Sequence, residues 1–386
     1  AEDGIRVSVA SRGLGDGYKR QMRTREAGLS TVLPHKRLLV VGARGLVGQG
    51  VLSAFEGDDD WSVVALSRRS LDFPTDATHV SVDLTDRIET FETLGFLGAF
   101  THVVYAALYE KEDLIAGWRD THQIDINVGM LRNLLDAIEP SEHLTLLQGT
   151  KAYGAHLGPM LNPGKEWHDR PPGPNFYWPQ EDLVRERANA GGWRYTVLRP
   201  QIVCGLAAGS PMNMTLAIGV FAAISKAMGE PLHFPGGPAF VTQATDARLL
   251  GRAVRCFVVN DWECNEIYNI TNGDELVWRS VWSSIADSFE MEVGDDRPMS
   301  LADEMPKLSP VWDELVGRVE LMPYSMDALV GNSWQFADAI FGLKGGQNTL
   351  LSTIKARKHG FAECIDTEDM FRNQFADLQS ARILPS

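Results

Sequence analysis

From Arg37 onward the chain alternates apolar runs with polar punctuation. Arg37–Val41 is a continuous apolar run closed by a glycine, the pattern of a strand buried on both faces of a parallel sheet. Shorter runs of the same kind lie at Trp61–Leu66, His79–Leu84, Thr101–Leu108, His143–Gln148 and Trp193–Leu198. Between them the period lengthens. Leu46–Glu56 fits a helix, and Gln123–Ile138 places Ile124, Val128, Leu131, Leu134, Leu135 and Ile138 on one helical face. Another helix starts at Tyr177. Strands alternating with helices predict an α/β fold, a Rossmann-like doubly wound parallel sheet whose ligands lie at the carboxyl ends of the strands.

After Pro200 the pattern loosens. Thr215–Met228, Asp246–Val259, Trp278–Phe289 and Asp366–Leu378 read as helices, with Asp366 or Thr367 capping the last. Residues 36–205 are therefore expected to form the nucleotide-binding domain. Residues 206–386 should form mainly a smaller C-terminal substrate lobe, with a strand near 266–271 returning to the sheet. Residues 1–35, with Gly13, Gly15, Gly17 and scattered arginines but no sustained period, are expected to be a flexible N-terminal extension.

Composition narrows the function classes. A chain of 386 residues buries roughly 75% of its unfolded surface and needs no staples. A net charge of -15 argues against a nucleic-acid partner, which requires a basic footprint. The cysteines Cys204, Cys256, Cys264 and Cys364 show no metal-ligand spacing and read as reduced thiols of a cytoplasmic protein. No run reaches the ~18 apolar residues of a membrane span. A homodimer is compatible with the sequence.

The clearest chemistry is a glycine turn, Gly42-Ala43-Arg44-Gly45-Leu46-Val47-Gly48, set between the first strand and first helix. Glycine lets the backbone turn tightly and approach a pyrophosphate at the helix N-terminus. The second strand ends in Ser67-Arg68-Arg69, with no carboxylate to accept from ribose hydroxyls. Guanidiniums there accommodate a 2′-phosphate, so NADP(H) is expected over NAD(H). Asp83 and Leu84 after the third strand, Ala106 and Ala107 after the fourth, and Gln148 after the fifth complete that expected nucleotide edge.

The chemical end lies in Leu146–Leu183, where an apolar strand passes Lys151 and Tyr153, crosses a Pro/Gly-rich loop and restarts as a helix at Tyr177. A short-chain dehydrogenase acting on an alcohol places Tyr-x-x-x-Lys here, with a serine or threonine at the end of the fifth strand. This chain has Glu181 in the lysine position and Gly149 in the hydroxyl position. The pattern resembles the progesterone 5β-reductase/iridoid synthase family of enone reductases. The resemblance rests on Gly149-Thr150-Lys151-Ala152-Tyr153, Asn175-Phe176-Tyr177-Trp178 with Glu181-Asp182, and Leu198-Arg199-Pro200-Gln201-Ile202-Val203-Cys204-Gly205. It extends through Met212-Asn213 to Lys358–Phe361 and Arg382–Pro385, covering about residues 36–386. Trp178 departs from the second aromatic, often tyrosine, of that family's motif.

The resemblance implies NADPH-dependent 1,4-reduction of a C=C bond conjugated to a carbonyl, with a small apolar enone or enal as substrate. Hydride would reach the β-carbon while Tyr177, assisted by Lys151, stabilises the enolate. Both residues, with Pro200, Ile202 and Val203, would also touch the nucleotide. Phe176, Trp178, Tyr153, Met212 and Met214 are candidates for an apolar substrate wall. Asn127 is a candidate for bonding backbone or water near the site, while His156 and His168 read as loop residues. Two alternatives stay open. One is a short-chain dehydrogenase acting on a sugar nucleotide or a carbonyl; the other is a protein that holds NADP(H) without catalysis.

Overall fold

The computed structural model describes residues 36–260 and 265–386. The expectation for residues 1–35, and the reading of Cys264, lie outside the described residues. Seven strands build one sheet: β1 Lys36–Val41, β2 Trp61–Ser67, β3 Thr78–Ser81, β4 Phe100–Tyr105, β5 Pro140–Leu147, β6 Arg194–Pro200 and β7 Glu266–Ile270. Their order is β3-β2-β1-β4-β5-β6-β7, and every pairing is parallel. The order reverses between β1 and β4, which opens a crevice at their carboxyl ends. The expected fold class holds, and the strand near 266–271 does join the sheet, at its edge beside β6.

Two apolar layers cover the two faces of the sheet. Leu39, Val41, Val103 and Tyr105 pack toward helix α2 (Thr121–Ala137), through its Leu131 and Leu134. Leu38, Val40 and Val104 pack toward α1 (Leu46–Phe55) on the other face. Successive strand residues point to opposite faces, so a continuous apolar run is what such a strand requires. The expected fourth strand stops at Tyr105; Ala106–Leu108 leave the sheet and turn over the ligand edge.

A third core gathers the C-terminal half around α4 (Met214–Ala227), which follows α3 (Tyr177–Gly191) in the chain. Trp278, Trp282, Trp312, Trp334, Phe341 and Phe371 enclose α4. A helix apolar on all sides must be surrounded, and α4 is buried at every position from Met214 to Ser225. Asp366 caps the final long helix, Thr367–Ser380, by accepting from the amides of Glu368 and Asp369. Thr367 instead turns its hydroxyl to Asp274. Among the described residues no helix is long and apolar enough to cross a membrane.

Candidate active site

A cavity of about 610 Å³ runs along the carboxyl ends of β1, β2, β4, β5 and β6 and on beneath the C-terminal half. Its first end is built by the glycine turn. Gly42 has φ +84°, and a Cβ there would stand 2.7 Å from the Ala106 carbonyl oxygen. A Cβ on Gly48 would stand 2.3 Å from the Gly42 oxygen, so Gly48 works from beneath the turn and does not line the cavity. Gly42, Arg44, Gly45, Leu46 and Val47 line it. No side chain caps α1 at Gly45, and the Leu46 amide reaches only Ser210 Oγ, at 3.4 Å. The positive end of the helix dipole is thus directed at the cavity.

Ser67, Arg68 and Arg69 line the same end. Arg69 makes no ion pair among the described residues. Burial, then the nearby Arg44 and Arg68 charges, pull its pKa below the usual arginine value, with Asp72 opposing. Arg44 is held by Asp72 at 2.5 Å, and its Nε is buried without an acceptor. Three guanidiniums against two carboxylates, Asp72 on Arg44 and Asp83 at 3.9 Å from Arg68, suit a ligand carrying phosphate groups. Leu84, Ala106, Ala107, Gln148, Pro200, Ile202 and Val203 also line the cavity. Asp83 does not: its carboxylate caps Thr85 and lies 3.9 Å from Arg68, so it is used locally.

At the other end Lys151 and Tyr177 come together through one residue. After β5 the chain makes a short 3-10 turn, Thr150–Tyr153, that carries Lys151. Asn175 donates from Nδ2 to the Lys151 carbonyl and accepts at Oδ1 from the Tyr177 amide. The asparagine of Asn-Phe-Tyr is therefore the link that sets the turn against the start of α3. Gln148 adds a second link, donating to the Tyr177 carbonyl while accepting from Arg199.

The Tyr177 hydroxyl stands over Gly149. A Cβ built on Gly149 would lie 3.5 Å from that oxygen and 3.4 Å from the Pro200 carbonyl oxygen. Gly149 has φ 179°, which any residue adopts, so the backbone does not demand glycine. One turn further along α3, Glu181 is 1% exposed. It binds Arg199 at 2.9 Å, Arg185 at 2.6 Å and Arg170 at 3.1 Å. The position where an alcohol-oxidising relative keeps a cation thus holds a carboxylate pointing away from the cavity, committed to three guanidiniums.

Burial pushes the Tyr177 pKa well above the usual phenol value, and the Glu110 charge adds to that. The hydroxyl is therefore protonated across the neutral range. Burial lowers the Lys151 pKa, while Glu110, 3.3 Å from its Nζ, holds it up. Lys151 Nζ also sits 4.4 Å above the Trp118 ring.

The expected wall residues divide. Phe176 and Met212 line the cavity. Met214 does not; it begins α4 and is fully buried in the C-terminal core. Trp178 turns its indole to donate to the Ala152 carbonyl, and Tyr153 donates to Asn269 Oδ1, so neither lines the cavity. Asn127 is spent on the backbone of Tyr109 and Gln123. His156, expected as an exposed loop residue, lines the cavity and bonds the Pro174 carbonyl, whereas His168 stays in its loop against the Lys165 amide. Residues that local pattern did not reveal complete the apolar end: Trp118, Phe240, Phe336 and Ile340. Two lining residues, Ile202 (φ 39°) and Met212 (φ 60°), hold left-handed backbone.

A sequence model of the NAD dependent epimerase/dehydratase family matches residues 38–248. The chain belongs to this family. An (S)-8-oxocitronellyl enol synthase of Camptotheca acuminata is 28% identical over 90% of this chain and 93% of its own length. A 3-oxo-Delta(4,5)-steroid 5-beta-reductase of Arabidopsis thaliana is 29% identical over 90% and 92%. The resemblance drawn from the Lys151 and Tyr177 motifs points to the same proteins. Among solved structures, UDP-glucose 4-epimerase of Thermotoga maritima superposes with a TM-score of 0.63 at 15% identity, covering 89% of this chain and 99% of that one. That likeness concerns the fold.

Proposed function

We propose that this protein reduces the C=C bond of an α,β-unsaturated carbonyl compound with NADPH. The observation that carries the reading is a protonated Tyr177 hydroxyl standing over Gly149, with Glu181 in place of a lysine one turn on. Such a site has a strong hydrogen-bond donor and lacks the hydroxyl–tyrosine–lysine relay that moves an alcohol proton. The names of the relatives in Camptotheca and Arabidopsis support it.

The glycine turn and α1 N-terminus would hold the pyrophosphate, and Ser67, Arg68, Arg69 and Arg44 the 2′-phosphate. When bound, NADPH supplies the hydride that the β-carbon receives. Tyr177 donates its hydrogen bond to the carbonyl oxygen of the substrate, which becomes enolate-like as the β-carbon is reduced. One donor of that kind contributes ~2.7–4 kcal/mol to the transition state. Lys151 places an ammonium beside the reacting groups. Trp118, Phe176, Met212, Phe240, Phe336 and Ile340 exclude water and give the substrate an apolar seat.

The experiment is a panel of cyclic enones and enals incubated with NADPH and, in parallel, NADH, with loss of reduced-nicotinamide absorbance and product identity measured. Saturated carbonyl product with NADPH is expected. Allylic alcohol product, or turnover of a nucleotide sugar, overturns the reading.

A further inference from the structure

The lysine at the centre of this site is not a free cation. Lys151 Nζ lies 3.3 Å from Glu110 Oε1, and the Glu110 side chain is only 3% exposed. The other carboxylate oxygen, Oε2, accepts from Gln123 Nε2 at 2.6 Å. Gln123 is fully buried, and its Oε1 accepts from the Lys111 amide at 3.1 Å. The carboxylate is therefore fixed at both oxygens, one by the ammonium and one by an amide built into α2. Above the ammonium lies the Trp118 ring, with the Phe176 ring at 5.8 Å.

The other titratable groups around the pair are already engaged. His156 bonds the Pro174 carbonyl, and burial holds it neutral. Arg119 is turned onto the His156 carbonyl at 2.6 Å. Lys111 pairs with Asp120 at 2.8 Å. Tyr177 is protonated. Glu110 is the one carboxylate in contact with the Lys151 ammonium among the described residues.

We propose that Glu110 is a positioning residue of this site: it holds the Lys151 ammonium against Trp118 and makes the pair beside Tyr177 electrically neutral. This rests on the reading of Lys151 and Tyr177 as the reacting pair. Two consequences follow from the geometry. Lys151 is kept protonated in a setting where burial alone would favour losing the proton. The negative charge near Tyr177 also discourages a phenolate, which keeps the hydroxyl a donor. The pair therefore keeps Tyr177 a hydrogen-bond donor and disfavours its use as a base that withdraws a proton from an alcohol.

The test uses the full-length protein and the variants Glu110→Gln and Glu110→Asp. Two pH series are recorded: kcat/KM for an enone reduced by the wild type, and acetylation of Lys151 by acetic anhydride, read by peptide mass spectrometry. Removing the carboxylate should move the alkaline limb of kcat/KM and the Lys151 acetylation midpoint to lower pH by roughly one unit or more. Glu110→Asp should return part of both shifts, and NADPH binding, followed by fluorescence, should stay within a few-fold. If Glu110→Gln does not fold, Gln123→Leu, which frees one carboxylate oxygen, should lower kcat with little change in KM. Unchanged acetylation and pH profiles in a folded Glu110→Gln overturn the proposal. Should the wild type reduce no enone, the proposed function fails, while the acetylation midpoint still decides whether Glu110 governs Lys151.

Discussion

The two ends of the cavity handle charge in opposite ways. At the nucleotide end, Arg44, Arg68 and Arg69 crowd together with Asp72 and Asp83 as counter-charges, and Arg69 is destabilised as a cation by burial first and then by its cationic neighbours. At the chemical end two buried cations are answered by carboxylates: Lys151 by Glu110, and Arg199 by Glu181. Excess cation calls for an anionic ligand, whereas a compensated site presents hydrogen bonds to a neutral one. On the proposed function, one cleft would in this way hold a polyanionic cofactor against an apolar carbonyl compound.

The largest effect should come from breaking compensation. Glu181→Ala leaves the Arg199 guanidinium, only 4% exposed, without its carboxylate. Loss of one partner of a buried pair costs about 3–5 kcal/mol, to be seen as a lowered Tm and urea midpoint. Little change would mean that this end is not organised by paired charge. Next is Tyr177→Phe, expected to lower kcat about 10²–10³-fold with NADPH binding retained, measured by single-turnover kinetics and fluorescence titration. A rate near wild type would remove the hydrogen-bond donor from the mechanism.

At the nucleotide end, Arg69→Ala should weaken NADPH by about 1.5–3 kcal/mol, the range for a hydrogen bond to a charged group, with NADH nearly unaffected. Equal losses for both nucleotides would show that the arginines do not read the 2′-phosphate. A pH effect lies outside the cavity. Burial depresses His102 to about 4, with the Lys36 and Arg194 charges adding, and His143 to about 3, with the His102 and Arg194 charges adding. The unfolded chain takes up these protons first, so stability is complete above pH 6.5. It falls by about 1.4 kcal/mol per pH unit per histidine as pH drops from 6.5 toward those values. Urea titrations at pH 7 and pH 5 measure this, and the slope should roughly halve in His143→Gln.

The sheet was legible because its signal is local. RLLVV at Arg37–Val41, or His143–Gln148 with its neighbours, declares a buried strand through composition alone, and glycine at positions 42, 45 and 48 declares the turn. Side-chain direction at element ends was not legible. Phe176 and Trp178 flank Tyr177, yet one lines the cavity and the other donates to Ala152; Met212 lines it and Met214, two residues on, begins a buried helix. Aromatic and methionine residues serve core and pocket equally well, so residue type does not separate them.

Sequence by itself determined the parallel α/β frame, the glycine turn with its arginines, and the combination of Lys151, Tyr177, Gly149 and Glu181 on which the proposed chemistry rests. These are facts of spacing within one strand–turn–helix unit. Only the tertiary structure decided what compensates the lysine. Glu110 stands in Glu-Lys-Glu-Asp, which in sequence is an ordinary solvated charge run. It becomes a buried partner because Ala106–Leu108 leave the sheet and Gln123 of α2 seizes its free oxygen. Contacts between residues 41 positions apart are set by how layers pack, and no local pattern encodes them.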